Sequence, residues 1–397
     1  MIKRVLFTLA GVVLAGLSSA AGVNLVCRLE PNMDPAIIAA KYNISLVDFT
    51  SGAPFALYFV AEENQGDIIG QLMVDNHDVV WFEDEADLVS PETEKGSTLP
   101  AVGDRSLLYK QNKGVLKQIN FNAAVASTSG RTVKVAILDT GLSPFQPALW
   151  SKVDASINVV EPALPAYDIP QGQDSNLDGI PDNMTGHGTM IAGIIDQLSP
   201  QNHFVIARVA NSDGFASSWT IIKGLAFAVT SGAEIANVSM GSLNQIAALS
   251  DVIDWCDTNH LVVVAAMGNN GLRTSCYPAK YSNTVSVCGL NPDNTKAIFS
   301  NWDGGCDAAG PATGIVSQFW DGSFANWSGT SFSTPMASAI AAEALRHTAG
   351  PISPSTIRNG FKKFGNDIDG INKPFKGEIG KLLDYTKFIR AYMQGTP

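Results

Sequence analysis

Basic residues are scarce in this chain: 26 Lys and Arg stand against 37 Asp and Glu, a formal net charge of −11 that disfavours nucleic acid as a partner. Cysteine is sparse too, with five among 397 residues, and none has the paired spacing that a zinc site needs. Long apolar runs are missing after the N-terminus, where nothing reaches the ~18 consecutive apolar residues of a membrane-spanning helix. Internal repeats and low-complexity tracts are absent as well. Only 16% of the residues are charged while 45% are hydrophobic, enough for one large core and a small extra domain.

What is present begins with an export pattern over residues 1–21. Lys3 and Arg4 form a short basic region, Val5 to Leu17 an apolar one and Ser18-Ser19-Ala20-Ala21 a small-residue cleavage zone. A secreted protein is expected, extracellular or, in a host with an outer membrane, periplasmic; a single N-terminal anchor is the alternative. Residues 22–90 then read as a small α+β unit. Leu25-Val26-Cys27, Phe55 to Val60 and Val79 to Glu83 have strand character, and Pro35 to Tyr42 and Asp67 to Val74 are helical. Pro91, Gly96, Pro100 and Gly103 among polar residues mark a linker over 91–105.

The segment 106–397 alternates strand and helix signals. Strands are expected at 133–138, 204–210, 234–239, 261–266 and 284–288, and helices near 187–198, 218–230, 245–259 and 333–347. Such alternation predicts an α/β fold of three layers, a mostly parallel central sheet covered on both faces, with the site at the strand C-terminal edges.

Three segments carry nucleophilic chemistry in one chain order. Asp139 ends the apolar run Val133 to Leu138, so its carboxylate is held rigidly at a strand edge and can orient an imidazole. His187 lies between two glycines in Gly186-His187-Gly188-Thr189, where the backbone can approach closely. Ser331, in Gly329-Thr330-Ser331-Phe332-Ser333, precedes a small-residue helix whose first N–H groups can face a developing oxyanion. The order Asp, His, Ser differs from the chymotrypsin and α/β-hydrolase orders, and a Gly-x-Ser-x-Gly elbow is excluded because position 333 is Ser. Alone, each residue has a plainer reading: a turn aspartate, a packed histidine, a helix-capping serine.

Together these motifs resemble the subtilisin-like serine proteases, the subtilase family, over roughly residues 105–390. Val262 to Gly271 is similar to the strand and turn that present the family's oxyanion-hole asparagine, which would be Asn269. The resemblance implies an endopeptidase acting on protein or peptide substrates, with Asp139, His187 and Ser331 catalytic and Asn269 and Ser331 binding the oxyanion. It also implies substrate contacts at Ser239, Met240, Gly241, Ala266, Met267 and Gly268, with Phe215 and Ala216 on an opposing edge strand. No charged residue stands in these walls and Asn270 takes the rim, so a neutral, largely apolar side chain is expected on the acyl side of the cut bond. Residues 22–90 resemble the family's propeptide, an intramolecular inhibitor and folding aid; a permanent accessory domain is the alternative. Gly380 to Asp384 resembles the family's last catalytic-domain motif, so no further C-terminal domain is expected.

No cofactor is implied for catalysis. Asp174, Asn176, Asp178 and Asp182, with Gly179 among them, place oxygen ligands at alternate positions as a structural Ca²⁺ ion requires, although Thr185 stands where a closing glutamate would be. A solvated polar loop is the alternative. Cys27 would leave with the propeptide, and the other four cysteines allow three full pairings. The resemblance, to the aqualysin and proteinase K branch, implies a Cys276–Cys306 disulfide; Cys256 and Cys288 are either buried thiols or a second bridge. Three positions depart from the family: Met190, Phe332 after the serine, and Ser242 in place of a second glycine. Rival functions are a silent binding protein on the same scaffold and a serine esterase or peptide ligase.

Overall fold

The computed structural model describes residues 22–74, 78–89, 94–95, 105–126, 129–175 and 177–395; the expected signal peptide, 1–21, lies outside them, as does most of the linker. Strand β1 (Gly22–Leu29), helix α1 (Pro35–Tyr42), strands β2 (Ser45–Phe49) and β3 (Phe55–Ala61), helix α2 (Gln65–Val74) and strand β4 (Val79–Asp84) form an N-terminal unit. Its antiparallel sheet has the order β2-β3-β1-β4. Asp34 caps α1, its side chain accepting from Ala36 N at 2.8 Å, and Asn43 closes the helix in the left-handed conformation. The alternation of β1 puts Leu25 and Cys27 onto these two helices. It turns Val26 outward against the larger body.

Beyond this unit come the short strands β5 (Asp87–Val89) and β6 (Glu94–Lys95) and the helices α3 (Arg105–Gln111), α4 (Lys113–Gln118) and α5 (Ala123–Ala126). The main body follows: β7 (Lys134–Asp139), α6 (Pro147–Trp150), β8 (Val153–Asn158), α7 (His187–Leu198), β9 (His203–Arg208), β10 (Phe215–Ser217), α8 (Ser218–Thr230), β11 (Ile235–Val238), α9 (Ala247–Thr258), β12 (Val262–Ala266) and β13 (Thr284–Leu290). It closes with β14 (Ala308–Pro311), β15 (Ile315–Gln318), β16 (Phe324–Ser328), α10 (Thr330–Leu345), α11 (Pro354–Phe364), β17 (Lys381–Leu382) and α12 (Tyr385–Met393). Eight parallel strands, ordered β17-β14-β13-β12-β11-β7-β9-β8, make the central sheet.

Period-two alternation along these strands builds the layers. Val135, Ile137, Ile235, Val262 and Val264 face a cluster shared with α7, α10 and α12. Their neighbours Ala136, Leu138, Ala236, Val238, Val263 and Ala265 face α8 and α9. Every residue of α7 and of α10 is buried. A small residue lets α7 pack close against β15: a Cβ added at Gly193 would fall 2.4 Å from Ser317 Oγ.

The expected α7 and α8 coincide with the observed helices, and the expected strands are displaced by at most two residues. Helix α10 begins at Thr330 rather than 333, which places Ser331 inside its first turn. The expected elements omit α11 and α12, although Ile357 and Phe361 in one and Tyr385, Phe388, Ile389 and Tyr392 in the other recur at helical spacing; they also omit β14 to β17, which are too short to fix a period.

Candidate active site

Asp139 is the last residue of β7 and His187 the first of α7, so a strand edge meets a helix start. Their approach needs glycine: a Cβ on Gly188 would lie 2.4 Å from the Gly141 carbonyl oxygen. Gly141 itself has φ +111°, in the region open mainly to glycine. Nδ1 of His187 sits 2.7 Å from Asp139 Oδ1, with both side chains wholly buried. The same oxygen accepts from Thr140 N at 2.8 Å. Phe332 presents its ring nearly edge-on to the imidazole, centroids 5.6 Å apart, and Trp327 lies at 6.2 Å.

A buried carboxylate missing from the sequence reading supports the histidine. Asp168 accepts from Gly186 N at 2.8 Å through Oδ1, and from Thr189 N at 3.0 Å and Thr189 Oγ1 at 2.7 Å through Oδ2. It thereby satisfies N–H groups at the start of α7 where the helix dipole is positive. Burial pushes its carboxyl up, against the hydrogen bonds, and the charge of Asp139 adds to the rise. The buried Arg208 guanidinium, which donates to the Tyr167 carbonyl and to Gln171, supplies positive charge to this region.

Ser331 lies in the first turn of α10 and is 2% exposed. Its Oγ donates to the Ser239 carbonyl at 3.1 Å, and Ser239 Oγ donates to the Ser331 carbonyl at 3.1 Å. Asn237 Nδ2 donates to Ser239 Oγ, and Ser338 Oγ donates to Asn237 Oδ1. A chain of buried hydrogen bonds thus ties the nucleophile's turn to the end of β11. Asn269 follows β12 with Oδ1 held by Thr330, which donates from N at 2.8 Å and Oγ1 at 2.9 Å. That fixes which end of the amide is the donor. Thr330, Asn237, Ser338 and Asp168 escape sequence reasoning because their roles are set by partners 18 to 101 positions away.

A cavity of about 190 Å³ opens beside Ser331. Ser239, Met240, Gly241, Ala266 and Gly268 line it, together with Asn269, Asn270, Leu243 and Cys276. Met267 does not: it is 0% exposed and packs into the core with Met240 and Val263, because the residue after Ala266 turns inward. Phe215 and Ala216 pair antiparallel with Val89 and Leu88 of β5. On the other side Val89 N donates to Gly241 O at 3.2 Å and Gly241 N to Val89 O at 3.0 Å. Strand β5 therefore lies between the two edges, with Asp87 and Val89 against the cavity. Beyond Ser331, Glu94 and Lys95 pair with Ser328 and Trp327.

Two expectations find no support in the structure. The carboxylates of the proposed calcium loop do not converge: Asp182 accepts from Gln171, Gly172 and Gln173 N and from Ser212 Oγ, while Asp174 accepts from Asp178 and Gly179 N. Asp178 accepts from Ile180 N. Asn176 lies outside the described residues, among which no group of three or more His, Cys, Asp and Glu side chains could hold a metal. Cys306 is not beside Cys276 but has Cys288 Sγ at 2.9 Å, while Cys276 contacts Asn270 and Asn301 at the cavity wall. No two sulfurs are within bonding distance, the Cys288–Cys306 pair being at 2.9 Å.

The sequence signature of the subtilase family matches residues 130–362, spanning the segments that carry Asp139, His187, Asn269 and Ser331. The chain belongs to the subtilase family. Subtilisin BL of Lederbergia lenta is 31% identical over 253 residues, 62% of this chain and 87% of its own. Thermitase of Thermoactinomyces vulgaris is 30% identical over 252 residues, 61% of this chain and 84% of its own. The crystal structure of the epidermin leader peptide processing serine protease of Staphylococcus aureus superimposes with a TM-score of 0.72 at 19% identity, covering 93% of this chain and 98% of that one. This subtilase is accordingly a serine endopeptidase with the three-layer fold expected from its sequence. Among its described residues no helix is long and apolar enough to cross a membrane.

Proposed function

We propose that this subtilase is an exported endopeptidase, made as a self-inhibited precursor, that cuts after neutral, apolar side chains. The observation that carries the reading is β5, held by Phe215 and Gly241 as an extended substrate would be. The N-terminal unit docks the strand there. Glu83 accepts from Ala247 N at 3.0 Å and Ala248 N at 2.7 Å at the start of α9, and Asp48 accepts from Trp219 Nε1 at 3.0 Å. Arg28 pairs with Asp251 at 2.7 Å. Paired segments stand on both sides of Ser331, at Val89 and Glu94, so self-processing would fall within residues 90–93, Ser90-Pro91-Glu92-Thr93, where docking of the strand and not the apolar preference of the cavity selects the bond. Residues 22–90 then act as propeptide and inhibitor, and residues 1–21 direct export.

In the reaction, His187 takes the Ser331 proton as Oγ attacks the carbonyl and returns it to the leaving amine. Asp139, bonded to Nδ1, keeps the tautomer and stabilises the imidazolium. The tetrahedral oxyanion is bound by the Asn269 amide and Ser331 N–H, and water then hydrolyses the acyl-enzyme. The cavity supports the specificity: an apolar space of ~150 Å³ holds benzene, so about 190 Å³ with no charged side chain from the main body suits an aromatic or Leu-sized group. Intact mass and casein cleavage test the proposal. Wild type should lose its N-terminal unit and cleave casein, whereas Ser331→Ala should keep the unit and cleave nothing; a processed Ser331→Ala chain, purified from a host free of other proteases, refutes self-processing.

A further inference from the structure

Beneath the Gly268–Leu272 turn that presents Asn269 lies one buried side chain, Asn301. Its Oδ1 accepts from Asn270 N at 3.0 Å and Leu272 N at 2.9 Å, and its Nδ2 donates to Met267 O at 3.2 Å. The backbone adds Asn301 N to Gly268 O at 2.9 Å and Gly271 N to Phe299 O at 2.6 Å. The turn's geometry is therefore copied from the segment between β13 and β14. Cys288, within β13, and Cys306, two residues before β14, bracket that segment, and their sulfurs stand 2.9 Å apart though the residues are 18 positions apart in the chain. Cys288 Sγ also contacts the Asn301 carbonyl at 3.4 Å.

We propose that Cys288 and Cys306 join as a disulfide, closing the segment that holds the oxyanion turn in place. A disulfide's sulfurs are ~2.05 Å apart, so closure asks for less than about 1 Å of movement. The oxidant is an external disulfide: one thiolate attacks it, the second displaces the mixed disulfide, and the external molecule leaves as two thiols carrying both electrons and both protons. Burial pushes the Cys306 thiol up, so few thiolates form once the protein is folded, and the bond forms while the chain is still folding. Cys276 is separately engaged at the cavity wall, and Cys27 and Cys256 are buried in β1 and α9.

The proposal stands apart from the proteolytic reading, because it is tested in the full Ser331→Ala chain without turnover. Refolded in a glutathione redox buffer and alkylated after denaturation, that chain should show three free thiols and one peptide linking Cys288 to Cys306. Its Tm should exceed that of the same protein in dithiothreitol by about 3–5 °C. Cys288→Ala/Cys306→Ala should show the lower Tm with no response to dithiothreitol. Five alkylated cysteines, a link through Cys276, or an equal dithiothreitol response in the double variant would each overturn it.

Discussion

Thr330→Val is the sharpest probe of the oxyanion geometry. Valine keeps the shape and the backbone N–H but removes Oγ1, one of the two donors holding Asn269 Oδ1, here at 2.9 Å against 2.8 Å for the N–H that remains. Gly268 N also loses its 3.3 Å acceptor. A hydrogen bond between neutral groups is worth about 0.5–1.5 kcal/mol net, and here it orients a donor used only as negative charge develops. The loss should therefore appear as roughly a 3–10-fold fall in kcat with KM nearly unchanged. Asn269→Ala should cost ~10²–10³ in kcat, a magnitude carried over from a subtilisin relative. The assay is steady-state hydrolysis of a peptide anilide with an apolar residue before the cut bond, run on all four members of the double-mutant cycle. If Thr330 acts through Asn269, its substitution costs almost nothing once Asn269 is alanine. An undiminished cost in that background refutes the positioning argument.

Gly188→Ala should lower stability by about 1–3 kcal/mol and kcat by ~10²-fold, since its Cβ would fall 2.4 Å from Gly141 O and move α7 away from Asp139; thermal melts and kcat check it together. Phe332 puts a ring where a sulfur would otherwise adjoin the nucleophile, so wild type should keep most activity after mild peroxide while Phe332→Met loses it; equal losses would count against this. Burial alone would raise the Asp182 carboxyl, but donors at Ser212, Gln171, Gly172 and Gln173 outweigh it and hold the group below its ordinary value. A lowered carboxyl contributes stability above its unfolded pKa and loses it as pH falls through the folded one. The Tm gap between wild type and Asp182→Asn should thus be constant above about pH 5 and narrow below about pH 4, and a gap that widens in acid contradicts the sign. Chelator should leave Tm unchanged if these carboxylates serve only the loop, and a fall would restore a metal at this loop.

The proposed catalytic residues stand out in the sequence because each packs its chemistry into a few adjacent residues. Asp139 closes an unbroken apolar strand, His187 has a glycine on either side, and Ser331 opens a helix of small residues, so local sequence specifies the backbone and the side chain at once. Asp168 and Asn237 offered no such signature. An aspartate between Tyr167 and Ile169 looks like any loop residue until Gly186 and Thr189 fold against it. The calcium reading rested on spacing alone: alternating oxygens also serve to fold a loop upon itself, and spacing does not distinguish a carboxylate aimed at an ion from one that collects backbone N–H groups. Asp182 does the latter.

The cysteines show how register decides what spacing leaves open. Cys288 lies on β13, paired in parallel with Ala309 of β14, and Cys306 precedes β14 by two residues. The chain entering β14 passes beside the strand it is about to join, which brings Cys306 to Cys288. Cys276 belongs to a different approach, in which its backbone N donates to Met267 O and its thiol faces the cavity. A bridge from Cys276 would draw the cavity wall toward the β14 entry; one from Cys288 leaves the wall alone and tightens the support under Asn301. The position of Cys306 relative to the first residue of β14 therefore separates a disulfide that shapes substrate selection from one that steadies the oxyanion turn. Moving that cysteine by one position should abolish the 288–306 link without creating the other, because side chains on an extended backbone alternate direction with every residue.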